Sequence, residues 1–302
     1  MNSLRDPVSE QAAYWFALLL DGSESEEDRQ KFAQWVAQDP AHPKAFADIE
    51  RLWSGSSSLD FTSSNHIGRR AVLGGSLAAI LLAGGWGTYR YHPLADIRTQ
   101  TGQRREISIP GQRGRSIVAS NSILSFVSDG RMTGVEIHQG EAWFEHEGDD
   151  GAFFVRAQNG RTLSTGGTFD VATYDGAVTA IAETNPLMVD IAGGRHTLAE
   201  GNAMTYDAGG VSTSAHPVDV QSALAWRQGQ LTFMGEPLAH VVAVLERWQP
   251  GKIVIMGDAL KRRPVTLVVD LDRSRDVVPV LADVLHVDVT RFTDYLTVIR
   301  EV

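Results

Sequence analysis

The sequence predicts a multidomain protein with a small all-α N-terminal head, a single transmembrane helix, an all-β domain and an α+β C-terminal domain. Three observations predict this order. Hydrophobic residues first recur at helical spacing, one uncharged apolar run follows, and the pattern then changes to the alternation that is typical of strands. The 302 residues are enough for several domains, and 43% hydrophobic with 21% charged residues is ordinary for globular protein.

The composition excludes several classes of function. The chain has 27 basic and 37 acidic residues, so its formal charge is −10, which is unsuited to a phosphate backbone. We therefore expect no direct contact with nucleic acid. The chain contains no cysteine, which excludes disulfides, thiol nucleophiles and thiolate metal sites.

Residues 1–54 are predicted to form the helical head. Pro7 opens a first helix that ends at Asp21, a second helix ends before Pro40, and a third runs from Pro43 through Trp53. Every residue from Tyr14 to Leu20 is apolar, so the first helix is hydrophobic all round. Two neighbouring helices cannot cover that whole circumference, and we expect part of it to meet a partner.

The head is also acidic, with an excess of five negative charges over residues 1–54, which favours a basic protein partner. The apolar residues that we nominate for partner binding are Trp15, Phe16, Leu19, Trp35 and Trp53. An alternative is that these side chains form only the core of the head, with the remaining apolar face covered in a homodimer.

The membrane prediction rests on residues 71–89, a run of 19 residues without a charged side chain. As a helix this run would be about 28 Å long, close to the roughly 30 Å hydrocarbon core of a bilayer. A serine-rich linker, residues 55–70, precedes it and ends in Arg69 and Arg70. This arginine pair resembles a twin-arginine export signal, which is read in the cytoplasm. We therefore expect a single-pass protein of the inner membrane, with a cytoplasmic N-terminus and a periplasmic C-terminus.

The remaining chain is predicted to form two domains. Residues 96–208 contain short segments rich in β-branched and aromatic residues, which turn residues separate at intervals typical of an all-β domain. A second linker, residues 209–222, leads to residues 223–302. There the order of strand and helix patterns predicts a compact β-α-β-β-α-β fold.

Three motifs resemble the FecR family of membrane-anchored sigma-factor regulators. They are GEAWFEHE at 140–147, GGTFDVATY at 166–174 and AWRQGQLTFMGEPLAHVVAVLERW at 225–248. The C-terminal domain is similar to the short N-terminal domain of secretins and TonB-dependent receptors. One departure is the turn at 109–122, IPGQRGRSIVASNS, where the family has leucine-proline-aspartate-glycine-serine.

The resemblance implies an anti-sigma factor that relays a signal to the cytoplasm, in iron or siderophore uptake. The head would bind an extracytoplasmic-function (ECF) sigma factor. The periplasmic part would receive the signalling domain of a TonB-dependent outer-membrane transducer. A regulatory intramembrane protease would then release the head. An alternative class is a structural or secretin-associated protein of the cell envelope.

An envelope enzyme is the other alternative, and the sequence disfavours it. Within ten residues lie two histidines and three glutamates, His138, Glu141, Glu145, His146 and Glu147. On a strand, Glu141 and Glu145 point to the same side as Trp143, whereas His146 points to the other side. The cluster is therefore split, and we expect no metal, no cofactor and no catalytic residue. The chain also lacks a GxSxG nucleophile elbow and a GxxxxGK phosphate loop.

Overall fold

The computed structural model describes residues 7–21, 26–56, 95–130, 132–148, 151–192, 194–272, 277–293 and 295–301. These residues divide into two compact units. The first unit contains the N-terminal helices together with residues 251–257 and 288–301, and the second contains the rest of the described chain. Segments of the predicted C-terminal domain therefore occur in both units.

The described helices are α1 (Pro7–Asp21), α2 (Glu26–Gln38), α3 (Ala41–Ser56), α4 (Val220–Ala223), α5 (Leu238–Trp248), α6 (Asp258–Lys261) and α7 (Val277–Leu285), with a 3-10 helix at Ala225–Gln228. The three predicted head helices are confirmed, with ends within a few residues of those expected. Pro7 starts α1, where its missing N–H is not needed, and Pro40 separates α2 from α3.

The described strands are β1 (Ile97–Arg98), β2 (Arg105–Ile107), β3 (Ser116–Val118), β4 (Ile123–Asp129), β5 (Met132–His146), β6 (Phe153–Ala157), β7 (Gly160–Ser164), β8 (Gly167–Tyr174), β9 (Ala177–Ala182), β10 (Leu187–Ile191), β11 (Gly194–Leu198), β12 (Asn202–Asp207), β13 (His216–Pro217), β14 (Gln230–Pro237), β15 (Lys252–Met256), β16 (Pro264–Asp270), β17 (Val287–Thr293) and β18 (Leu296–Glu301). The predicted all-β region is therefore confirmed as strands.

In the first unit, the head helices share one apolar core with the sheet β15-β18-β17. Trp15 and Phe16 of α1 lie in the same buried cluster as Val254, Leu296 and Val298. The side chain of Tyr14 also packs edge-to-face on Tyr295, with ring centroids 5.0 Å apart. Strands therefore cover part of the apolar circumference that two neighbouring helices leave open on α1.

In the second unit, β5 is the strand that joins two sheets. Its first half pairs with β4 and β6, and its second half pairs with β3 and β8. The change of partners occurs near Gly140, which has a φ of +91°. Next to this glycine, the pairing of β4 with β5 shifts register between Ile123 and Leu124. A strand that bends at a glycine or bulge can pass from one sheet into another.

The sequence pattern predicts two separate strands, GVEIH at 134–138 and EAWFEHE at 141–147, where the structure has β5 alone. Its second half alternates as expected: Phe144 and His146 point into the core, while Glu141 and Trp143 lie on the other face. The core between the sheets is aromatic, and Phe144 stacks on Phe169 at 5.2 Å between centroids. The inner face is therefore dry and the outer face carries the carboxyl groups.

The chain between the all-β region and α4 follows the edge of β12. His216 and Pro217 pair with Ala203 and Asn202, and the backbone of Thr213 donates to Thr205. An exposed strand edge invites pairing with another chain, and a proline-ended segment along it blocks that pairing. Residues 209–217 therefore act as an edge cover.

The C-terminal strand pair of the second unit is β14 with β16. The two strands are antiparallel, and Phe233 lies opposite Leu267. Leu231, Phe233 and Val269 are buried, whereas Met234 and Val268 on the opposite face are 67% and 61% exposed. This small sheet therefore has one core face and one solvent face, on which Met234 and Val268 are exposed apolar residues among polar ones.

The predicted fold class was wrong to include a single transmembrane helix. Among the helices of the described ranges, none is both long enough and apolar enough to cross a membrane. Residues 71–89, like Arg69 and Arg70, lie outside the described residues. The prediction used the absence of charge, which measures compatibility with lipid. Absence of charge does not measure helix formation, and five glycines in that run each disfavour a helix by about 1 kcal/mol relative to alanine.

Replacing Gly140 with alanine should destabilise the second unit by about 3 kcal/mol. A Cβ at this position would stand 2.1 Å from Ser122 Oγ and 2.6 Å from Ser122 Cα, and the positive φ adds a cost of about 1–2 kcal/mol. Denaturant unfolding of the full chain, followed by circular dichroism, measures the loss.

Gly176→Ala is the matched control. Gly176 has a φ of +78°, but nothing lies within 4 Å of a Cβ there, so only the conformational cost of about 1 kcal/mol should appear. Equal losses of stability in the two variants would contradict the close approach of Ser122 to Gly140.

Candidate functional site

The residues predicted to bind a partner lie mainly inside the head. Trp15, Phe16 and Trp35 are 9%, 7% and 5% exposed, and Leu19 is partly buried against the same cluster. Trp53 belongs to α3, but its side chain lies outside the described residues. The structure thus brings four of the five nominated side chains together as a core.

Trp35 shows how these aromatic residues are held. Its indole N–H donates to Gln11 Oε1 at 2.7 Å, and its ring stacks on His42 with 4.5 Å between centroids. Phe32 stacks on the same indole at 6.1 Å. An indole with this many internal contacts positions α1, α2 and α3 relative to one another.

The exposed surface of the head is polar. Glu10, Glu27 and Glu50 are exposed on α1, α2 and α3, and Glu27 pairs with Lys31 at 2.9 Å. The cations Arg29, Lys31 and Lys44 are also exposed on these helices, so the described surface of the head carries charges of both signs.

A second site lies in the other unit, where the three family-like motifs meet. Trp143 pairs with Asp170 across β5 and β8, so both side chains emerge on the outer face of this sheet. The chain that follows β13 returns to this face and covers it with Trp226, Arg227 and Trp248, among others. We call residues 224–248 the docked segment.

Glu183 is the centre of the first set of contacts at this site. Its carboxylate accepts a hydrogen bond from Trp143 Nε1 at 2.6 Å and two from Arg227, at 2.8 and 3.1 Å. The Arg227 guanidinium also lies over the Trp143 ring, 4.5 Å from its centroid. Such a bidentate pair, stacked on an aromatic ring, has a specific geometry that a lysine would not reproduce.

Tyr174 and Arg247 form the second set. The Arg247 guanidinium lies 3.6 Å from the centroid of the Tyr174 ring, and the Tyr174 hydroxyl donates to Glu141 at 3.2 Å. The carbonyl of Arg247 accepts a hydrogen bond from Ser120 Oγ at 2.6 Å. These contacts fix the end of α5 on the outer face of the sheet.

The electrostatics of the site are those of carboxyl groups withdrawn from water. Desolvation raises the pKa of Glu141, and the nearby Arg247 opposes that shift. Desolvation raises the pKa of Asp170 well above its usual value, and the charge of Glu141 adds to the shift while Arg227 opposes it. The pKa of Tyr174 is also raised, chiefly by desolvation and then by Glu141.

Strand alternation predicts Glu141, Glu145 and Trp143 on one face, but it does not identify the residues that cover this face. Two signals were present: an aromatic residue, Trp143, on an otherwise polar face, and two arginine–tryptophan neighbours at 226–227 and 247–248. Within the described residues, no group of three or more His, Asp or Glu side chains is arranged to hold a metal ion.

Comparison with known proteins identifies two regions. The protein-family model described as FecR protein matches residues 95–185. The family model of a domain of unknown function, DUF4880, matches residues 10–52. The chain therefore carries a FecR domain C-terminal to a DUF4880 region. This confirms the resemblance to the FecR family that the motifs indicated. No curated protein matches the sequence.

Two crystal structures of a candidate anti-sigma factor from Parabacteroides distasonis ATCC 8503 have a similar fold. They were determined at 1.65 and 2.50 Å resolution. Each has a TM-score of 0.58 and 19% sequence identity, over 68% of this chain and 98% of that chain. The likeness is one of fold, and it extends over more of this chain than the FecR match does.

Arg227→Ala should lower the free energy of unfolding by about 2–4 kcal/mol. The Arg227 and Glu183 side chains are only 16% and 22% exposed, so the substitution leaves a largely desolvated carboxylate without its cation. Denaturant unfolding of the full chain gives the value.

Arg195→Ala is the matched control for this ion pair. Arg195 meets Asp190 at 2.7 Å, but its side chain is 65% exposed, so the loss should be below about 1 kcal/mol. A loss for Arg227→Ala as small as that for Arg195→Ala would show that the docked segment does not depend on the ion pair.

Proposed function

We propose that this chain, with its FecR domain and DUF4880 region, is a sigma-factor regulator that acts as an anti-sigma factor. The FecR match over residues 95–185 is the observation that carries the proposal. The similarity in fold to the Parabacteroides protein, which is described as a candidate anti-sigma factor, supports it.

The proposed partner of the head is an ECF sigma factor. The support is the excess of five acidic residues over residues 1–54, of which Glu10, Glu27 and Glu50 are exposed. Because Trp15 and Trp35 are internal to the head, they would support the binding surface by holding the helices. The sigma factor would meet the polar residues around them.

The proposed signal input is the signalling domain of a TonB-dependent outer-membrane transducer, in iron or siderophore uptake. The exposed apolar pair Met234 and Val268 on the open face of β14 and β16 supports a protein contact there. Apolar side chains that stay more than half exposed on a strand pair gain most from a partner that removes them from water.

Other parts of the regulatory scheme stay predictions. These are the regulatory protease, a homodimer, and the location of the N-terminus in the cytoplasm with the C-terminus in the periplasm. The alternative function is a structural or secretin-associated envelope protein, which would have no need of a sigma-binding head.

Reversing charge on the head should weaken sigma-factor binding. The full chain with Glu10→Lys and Glu50→Lys should bind the ECF sigma factor encoded beside its gene about three- to tenfold more weakly at low salt, since two exposed attractions are lost. The difference should shrink as salt screens the charges. Calorimetric titration at two salt concentrations measures both effects.

The control carries the same change of charge elsewhere, Glu106→Lys with Asp175→Lys, and should bind like the wild type, since both residues are exposed on the FecR domain. A folded wild-type chain that binds no neighbouring sigma factor and does not alter sigma-dependent transcription would overturn the proposal in favour of the structural alternative.

Met234→Asp with Val268→Asp should weaken binding of the transducer's signalling domain at least tenfold, because both apolar side chains are replaced by carboxylates and their apolar contacts are lost. Val211→Asp is the control, because Val211 is 73% exposed on the edge cover, away from β14 and β16. Equal binding by all three proteins would exclude this face as the receiving surface.

A further inference from the structure

The docked segment is attached to the FecR domain by buried apolar side chains and partly buried hydrogen bonds. Leu224, Trp226 and Trp248 are 1%, 3% and 4% exposed, and Trp226 packs against Trp248 with 6.0 Å between centroids. Arg104 donates to the carbonyls of Trp226 and Arg227, each at 3.3 Å. The segment is therefore held at both of its ends.

The face beneath the segment has more carboxyl groups than the segment has cations. Arg227 donates to Glu183 from both of its terminal nitrogens, and Arg247 lies on the Tyr174 ring beside Glu141. Neither of these guanidinium contacts is made with Asp170. It is 1% exposed, and its buried Oδ2 atom has no hydrogen-bond partner within the part of the chain that the structure describes.

Among the described residues, the other arginines near this face contact other carboxylates. Arg115 pairs with Glu145 at 3.0 Å and lies 5.7 Å from the Trp143 ring, and Arg104 faces Asp272 at 3.5 Å. The charged and titratable groups around Asp170 are those of β5, β8, the end of β9, the 3-10 helix and α5, namely Glu141, Tyr174, Glu183, Arg227 and Arg247. Three carboxyl groups thus face two guanidinium groups.

We propose that the docked segment is a latch that closes with one proton bound to the carboxyl pair Glu141–Asp170. In the open latch, water solvates both groups and both are ionised. In the closed latch, one carboxyl holds a proton taken from solvent, because a desolvated carboxylate without a cation costs several kcal/mol. This inference is independent of the sigma-factor role.

The proton determines how the latch responds to pH. The raised pKa values of Asp170 and Glu141 mean that the closed state binds more protons than the open state. Closure is therefore fully favoured below the ordinary carboxyl pKa and is lost as pH rises towards the raised value. Within that window, one proton changes the closed-to-open ratio by about tenfold per pH unit.

Amide hydrogen exchange of the full chain between pH 5 and 8 tests the latch. Asp170→Asn is uncharged at every pH and mimics the protonated carboxyl. At each pH, the ratio of wild-type to variant exchange in peptides from 224–248 cancels the intrinsic chemistry of exchange. We expect this ratio to rise with pH, by up to about tenfold per unit. The control Asp190→Asn changes a carboxylate that is 31% exposed and paired with Arg195, and its peptides from 224–248 should exchange like those of the wild type at every pH.

Two results would overturn the latch. One is a ratio that stays constant between pH 5 and 8. The other is an equal rise in peptides from 153–164, because the proton would then belong to the folding of the whole domain. If Asp170→Asn does not fold, carboxyl-carbon NMR of wild-type protein labelled at aspartate and glutamate replaces it. A protonated buried carboxyl at pH 6 supports the latch, and only ionised ones refute it.

Discussion

The second unit depends on covering a sheet face that bears carboxyl groups. Water would normally solvate Glu141, Asp170 and Glu183, yet the chain returns over them with two tryptophans and two arginines. Aromatic rings alone would leave the carboxylates desolvated and uncompensated, and cations alone would not exclude water. The alternation of arginine and tryptophan meets both requirements, which explains why the two residue types stand side by side at each end of the docked segment.

Local patterns predict the local structure of this chain well. The prolines and helical spacing of the head, and the alternation of residues such as Glu141, Phe144 and His146, predict the helices and strand faces that the structure has. The continuity of β5 could not be predicted, because Gly140, a residue type common in turns, lies between its two strand-like halves. The transmembrane helix was predicted from the length and missing charge of residues 71–89, which lie outside the described residues, and no described helix could cross a membrane.

The contacts at the candidate sites were less predictable, because they join residues distant in sequence. Nothing near Glu183 indicates that Arg227 will bind it, 44 residues later. In the head, an apolar circumference on α1 has two explanations, a partner or another part of the chain. The packing of Val254, Leu296 and Val298 against α1 supplies the second explanation. The sequence pattern shows how much apolar surface must be buried. Only the fold shows which residues bury it.

The single strand β5 also has a consequence for how the FecR domain folds. Its first half completes one sheet and its second half completes the other, so neither sheet has its full set of ladder hydrogen bonds without the same strand. Strand pairs distant in sequence form late, after loop closure. A folding intermediate with one finished sheet and one unformed sheet is thereby disfavoured, and the two layers should gain amide protection in a single kinetic step.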